Sequence, residues 1–188
     1  TFAALNDPNL AATVHFYGFW PFSVNVAGFT RFDSVTQDDL TGTVDRVHDT
    51  FVARGIPVII GEYGLLGFDR HTGTIQQGEK LKFFELFGHH ARSRQITTML
   101  WDNGQHFGRT GLQWTDPELI AMIKASWTTR SGTASTDQVF SAKASPITAK
   151  TVTLNLNGTT FTGLRHGSTD LVRGTDYTVS GDQLTLSA

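Results

Sequence analysis

The sequence predicts a parallel α/β domain followed by a smaller all-β tail. Three observations carry this. Strand-like and helix-like segments alternate over the first 127 residues. A run of small polar residues at 128–136 (TTRSGTAST) then ends the alternation. Beyond it only β patterning remains: all four Trp and six of the seven His lie at or before Trp127.

The elements follow in order. Residues 13–17 (TVHFY) alternate and are β-branched or aromatic, which suits a strand. Leu40, Val44, Val47 and Phe51 then recur at helical spacing. Thr36 with Asp39 reads as the capping box of that helix, and Gly55 as the glycine past its end. Residues 57–61 (PVIIG) are a continuous apolar run, the pattern of a strand buried on both faces. Leu81, Phe84, Phe87 and Ala91 form a second helical stripe, and residues 96–101 (ITTMLW) a third strand. Asp116 and Pro117 open a last helix as cap and first residue. Its expected buried face is Leu119, Ile120, Ile123 and Trp127. The order β-α-β-α-β-α implies a parallel sheet with right-handed crossovers.

In the tail, residues 152–156 (VTLNL) alternate and meet Asn157-Gly158, a strong hairpin signal, with 159–162 as the return strand. Residues 176–179 and 183–186 form a second hairpin pattern around 180–182. Short strands at this spacing indicate a sandwich module, here with too few strands to close.

Composition narrows the function classes. Of the 188 residues, 39% are hydrophobic and 11% aromatic, ample for a core. No run approaches the 18 apolar residues of a membrane span. A net charge of −2 provides no attraction to nucleic acid or an anionic membrane. The absence of cysteine excludes disulfides and thiolate chemistry. Neither an initiator Met nor a leader pattern opens the chain, so a cut start is expected.

Candidate chemistry lies at strand ends. His15 and Tyr17 are two apart on one strand and share a face. Glu62 follows the buried run, and Trp101 ends the third strand before Asp102, Asn103 and Gly104. In parallel α/β architectures ligands bind at the carboxyl ends of strands. Each residue also has a plainer reading. A carboxylate after an apolar strand is often a solvated turn residue, a His-x-Tyr pair a pocket wall, and a Trp a core residue. Asp102 alternates away from Trp101 and suits a supporting role. His89-His90 lacks metal spacing and fits a solvated helix face. The sequon at Asn157 is explained by the hairpin, and no phosphate loop is present.

Residues 13–22 (TVHFYGFWPF), 56–64 (IPVIIGEYG) and 99–104 (MLWDNG) together resemble glycoside hydrolase family 5, most closely the bacterial subfamily-4 endo-β-1,4-glucanases. Residues 22–28 (FSVNVAG) and 63–69 (YGLLGFD) look like a three-module branch. That branch joins a catalytic barrel, an immunoglobulin-like module and a carbohydrate-binding module. Residues 152–158 and 174–179 resemble its immunoglobulin-like module. The resemblance implies strands and helices 6–8 of a (β/α)8 TIM barrel over 1–130, a linker over 131–137, and part of an all-β immunoglobulin-like sandwich over 138–188.

The resemblance also implies roles. Glu62 matches the nucleophile of a retaining hydrolase, Tyr17 the tyrosine bonded to it, and His15 the histidine lining the site. Trp101 matches the tryptophan supporting the reacting sugar, with Trp20 and Asn103 as weaker sugar contacts. The family's acid/base glutamate stands in an Asn-Glu-Pro motif that this sequence lacks. Asn6-Asp7-Pro8 reads as a loop turn instead. The expected partner is a β-glucan (cellulose, xyloglucan or mixed-linkage glucan), with no cofactor, metal, nucleic acid or membrane. The expected location is extracellular, in a bacterium. The segment is expected to be inactive without the N-terminal part of the barrel. Two alternatives stand beside this: a non-catalytic carbohydrate-binding or structural fragment, and a related β-glycanase such as a mannanase.

Overall fold

Three parallel strands, β1 (Ala12–Phe16), β2 (Val58–Tyr63) and β3 (Thr97–Leu100), form a sheet in the order β1-β2-β3. They belong to a computed structural model describing residues 5, 7–26, 28–65, 76–102 and 104–188. The chain divides into two compact units, Thr1–Thr129 and Arg130–Ala188. In the first, a short α1 (Trp20–Ser23) and the long α2 (Ser34–Thr50) lead from β1 to β2. The helix α3 (Gln77–Ser93) leads from β2 to β3, and α4 (Pro117–Ser126) follows. Parallel neighbours need such crossovers, because a tight turn cannot reverse the chain twice.

The starts of α2 and α4 obey capping chemistry, with one change. Asp33, not Thr36, caps α2: its carboxylate accepts the Thr36 backbone N–H at 3.1 Å, and the Thr36 hydroxyl at 3.1 Å. Thr36 is therefore inside the first turn and buried. Asp116 caps α4 by accepting the Leu119 N–H at 2.9 Å, with Pro117 in the first position as expected. Burial pushes the Asp116 carboxyl up, but Lys80, the Leu119 N–H and Gln77 outweigh it and bring it down to about 2.

The core is an aromatic slab on one side of the sheet. Phe16, Phe22, Phe32, Tyr63, Phe83, Phe84 and Phe87 are all buried there with Leu40, Val44 and Ile60. Phe87 stacks on Phe16 with centroids 5.5 Å apart and on Tyr63 at 4.3 Å. Within these 188 residues β2, expected to be buried on both faces, is covered on one. Val58 and Ile60 are buried toward the helices, while Ile59 is 36% exposed on the other face. Met99 of β3 is 56% exposed, so the helices cover one face only. Trp127 is likewise exposed rather than buried, lying one residue past the end of α4.

In the second unit, β6 (Thr133–Ala134), β7 (Lys150–Asn155), β10 (Tyr177–Ser180) and β11 (Gln183–Leu186) form a sheet ordered β10-β11-β7-β6. β6 lies within the stretch expected as a linker and pairs with β7. The hairpin at 176–186 forms as expected, with Ser180 opposite Gln183 and Gly181 at φ 59°. The hairpin at Asn157-Gly158 forms only its turn. Both residues take positive φ, 47° and 82°, and the Thr159 N–H donates to the Leu156 carbonyl at 2.7 Å. The following residues add no strand because both edges of β7 are taken by β11 and β6. Phe161 still reaches the small core of Val152, Tyr177 and Leu184. A second, separate ladder joins β8 (Arg165–His166) to β9 (Thr169–Asp170).

The two earlier short strands, β4 (Phe107–Gly108) and β5 (Gln113–Trp114), form a hairpin between β3 and α4. Behind it α3 and α4 approach closely at Gly88. A Cβ placed there would fall 2.2 Å from the Ser126 hydroxyl oxygen, which is buried and bonded to the Ile123 carbonyl. Replacing Gly88→Ala is expected to destabilise the first unit by about 1–3 kcal/mol through overpacking. Pairing it with Ser126→Ala should recover part of the loss, read as the midpoint of urea unfolding.

Candidate active site

Alternation along β1 sends Ala12 and Phe16 into the core and turns Thr13 and His15 to the opposite face. Tyr17, one residue past the strand, continues that face. On β2 the register shifts. Val14 pairs with Ile60, but His15 pairs with Glu62, so two steps on β2 answer one on β1. The same extra residue appears against β3, where Ile60 pairs with Thr98 and Tyr63 with Leu100. Glu62 thereby stands beside His15 on the uncovered face, at the carboxyl end of the central strand.

The contacts follow from this placement. The Tyr17 hydroxyl donates to Glu62 Oε2 at 2.6 Å. His15 Nδ1 lies 3.5 Å from the same oxygen. Glu62 keeps 33% of its side chain exposed, and His15 53%, so the carboxylate is held yet open to a ligand. Burial, the hydrogen bond to Glu62 and its negative charge push the Tyr17 phenol up to about 12. The phenol therefore remains a donor across the neutral range. The Trp101 backbone N–H donates to the Tyr63 carbonyl at 3.0 Å, which anchors it beside Glu62. Its ring meets Tyr17 edge to face, with centroids 6.2 Å apart. A sugar ring has C–H faces that pack on such an indole while its hydroxyls seek polar partners.

The remaining candidates divide. Trp20 opens α1 with 58% of its surface exposed, and no ring contact joins it to this group among the described residues. Asn103 lies outside the described residues. Asp102 has the supporting role expected of it: its carboxylate accepts the His106 N–H at 2.7 Å. Burial pushes the Asp102 carboxyl up, but the backbone N–H groups of His106, Gly104 and Phe107 and the nearby His106 ring outweigh that and hold it below the usual carboxylate range. This folds the loop after β3 back under the hairpin. Asp7 accepts the Asn9 N–H at 2.9 Å, a turn contact that fits the loop reading at Asp7 and Pro8, while Asn6 lies outside the described residues. His90 is not free on its helix face, since Nε2 contacts Asp45 Oδ1 at 2.8 Å and ties α3 to α2. No group of three metal-ligating side chains is found among the described residues.

Five comparisons bear on the chain. The family model for cellulase (glycosyl hydrolase family 5) matches residues 1–107. The chain belongs to glycosyl hydrolase family 5. A second model, carbohydrate binding domain X2, matches residues 133–188. Endoglucanase B of Paenibacillus lautus is 58% identical over all 188 residues, which span 33% of that protein. The full-length tri-modular endo-β-1,4-glucanase B of Bacillus halodurans is 55% identical with a TM-score of 0.88. The match covers 100% of this chain and 35% of that one. A tri-modular family 5, subfamily 4 endo-β-1,4-glucanase of Bacillus licheniformis, solved with cellotetraose, is 31% identical with a TM-score of 0.79. That match covers 97% of this chain and 36% of the other. The chain thus spans about a third of the length of these relatives.

Sequence patterning does not disclose the bulge in β2, although a glycine directly before a strand-end carboxylate is the signal that accompanies it.

Tyr17 and Tyr63 are both pushed up to about 12, Tyr63 by burial against a weaker opposing bond from Thr98. A raised phenol pKa stabilises the folded state below pH 10, the ordinary tyrosine value. That contribution is lost as pH climbs through about 12. In a near-ultraviolet absorbance titration, Tyr17→Phe is expected to delete one late-titrating phenol and leave that of Tyr63.

Proposed function

We propose that the protein containing this segment is a retaining endo-β-1,4-glucanase, with Glu62 as its nucleophile. The observation that carries this is the 2.6 Å bond from the Tyr17 hydroxyl to Glu62 Oε2 at the carboxyl end of the central parallel strand. Membership of family 5 and the names of the relatives support it. In double displacement a Glu62 oxygen bonds to the anomeric carbon as the glycosidic C–O bond breaks. The departing oxygen takes a proton from a second carboxylic acid. Water, losing its proton to that same group, then attacks the anomeric carbon and frees Glu62.

On this reading the strands β1, β2 and β3 are the sixth, seventh and eighth of a (β/α)8 barrel. Trp101 carries the reacting sugar, and Trp20 and Asn103 add contacts farther along the chain. The acid/base lies outside the 188 residues. The sequence holds four glutamates, and the other three sit on helices: Glu79 and Glu85 on α3, Glu118 on α4. The substrate is a β-glucan, degraded outside the cell because a polymer does not cross the membrane. Product analysis on cellulose, xyloglucan, mixed-linkage glucan and mannan separates this from a mannanase. The second unit is proposed as part of an immunoglobulin-like module. The match of 133–188 to a carbohydrate binding domain favours polysaccharide contact there over a pure spacer.

In the full-length protein, Glu62→Gln is expected to lower kcat on the order of 10⁴-fold with KM little changed. Turnover at the parent rate would overturn the assignment. The isolated 188-residue segment, assayed alone on soluble β-glucan, is expected to release no reducing ends.

A further inference from the structure

We infer that Gly61 is a positioning residue: it is the extra residue of the β2 bulge, and its missing side chain lets Glu62 stand beside His15 and Tyr17. The inference rests on the reading of Glu62 as nucleophile and adds the device that orients it.

The bulge is required by the core. Ile60 and Tyr63 are both buried on the helix side, at 1% and 2% exposure, yet are three residues apart. Strict alternation would bring Glu62 to the helix side with Ile60 and turn Tyr63 away from Phe87. One inserted residue resolves the conflict, and the register shifts against both neighbouring strands place it between Ile60 and Tyr63. Since His15 is the partner of Glu62 and Val14 that of Ile60, Gly61 is the residue left without an opposite number on β1.

A side chain on the unpaired residue would point at Thr13 and His15. A Cβ built on Gly61 would lie 2.9 Å from Thr13 Oγ1 and 3.6 Å from His15 Nε2. The first is closer than a carbon and a hydroxyl oxygen tolerate. Thr13 is β-branched and stiff about χ1, so relief comes from a shift of the strands as well as of the side chain. The two residues pressed by the new carbon lie on the strand that bears His15 and leads into Tyr17. A displacement there loosens the 2.6 Å Tyr17–Glu62 bond and the 3.5 Å His15 contact together. The conformation is not the obstacle, because Gly61 is not among the positive-φ residues. The constraint is space alone.

The test uses the full-length protein. Gly61→Ala is expected to lower kcat by about 100-fold, the scale of an ångström-sized misplacement, with KM within about two-fold. Covalent labelling by a 2-deoxy-2-fluoro glycoside should slow by the same factor, because labelling reads the nucleophile directly. Thr13→Ala, which removes the oxygen nearest the new carbon, should by itself leave activity intact. Combined with Gly61→Ala, it should recover most of the kcat and of the labelling rate. Unchanged kcat and labelling in Gly61→Ala would overturn the inference while leaving the nucleophile assignment standing, provided Glu62→Gln is inactive in the same preparation. A loss that Thr13→Ala does not relieve would overturn it too, as would loss of cooperative melting in both the single and double variants. An active Glu62→Gln would remove the nucleophile assignment and this inference with it.

Discussion

The stacking of two strand residues on one helix residue fixes where the chemistry of the first unit goes. Phe16 of β1 and Tyr63 of β2 are register partners, and both lie flat against Phe87 of α3. Offset stacking adds about 0.5–1.5 kcal/mol per pair to the burial of three large rings. With that layer anchored, the pair one residue earlier, His15 and Glu62, must emerge on the opposite face. Tyr17, one residue later, emerges there as well. The aromatic slab and the candidate active site are thus two sides of the same strand ends.

This coupling explains which parts were legible in the sequence. The sharing of a face by His15 and Tyr17 follows from period-2 alternation, and it holds. The existence of the helices followed from their apolar stripes, and Phe84, Phe87 and Ala91 are buried as the stripe on α3 requires. The orientation of Glu62 was not legible. Its face depends on an inserted residue, and an insertion is visible only when the neighbouring strands are there to count against. The cap of α2 was misplaced for a related reason. Thr36 and Asp33 are both good capping residues, and the choice falls to Asp33 because the hydroxyl of Thr36 is itself a donor to that carboxylate. In the second unit the Asn157-Gly158 pair dictated a turn, which is a local property. Strand pairing is not local, and β7 already had two partners.

The loop after β3 shows how a polar residue shapes a rim without taking part in chemistry. Asp102 collects backbone N–H groups that the chain would otherwise leave to water. The Arg109 guanidinium donates to the Asp102 carbonyl at 2.8 Å, closing the loop from its other side. The Thr115 hydroxyl donates to the carbonyl of Gln105 at 2.7 Å, so the β4–β5 hairpin is pinned at its base. These bonds follow directly on Trp101 and hold the chain that leaves it. On the proposed reading, rigid support of this kind suits a sugar platform, since dispersion attraction falls away quickly with separation.

The distribution of acids gives the proposed mechanism its division of labour. Glu79 is buried, accepting the Phe32 N–H at 2.7 Å and pairing with Lys82, so it ties the loop before α2 to α3. Glu118 shares Gln77 with the cap of α4. Both carboxylates are committed to holding helices. Glu62 is the glutamate on a strand, and its contacts with Tyr17 and His15 converge on Oε2. Oε1 accepts no hydrogen bond among the described residues. A nucleophilic carboxylate works best in this state: one oxygen is held by a donor whose own proton is hard to remove, and the other faces the substrate. The Tyr17 phenol, pushed up to about 12, meets the first condition. Its burden is orientation rather than proton transfer, because a donor that does not ionise cannot serve as the acid of a double displacement near neutral pH. The proton for the leaving group comes, on the proposed reading, from a carboxyl beyond these 188 residues. On the proposed reading, the segment contributes the attacking half of the site and its alignment, and the rest of the barrel contributes the half that gives and takes the proton.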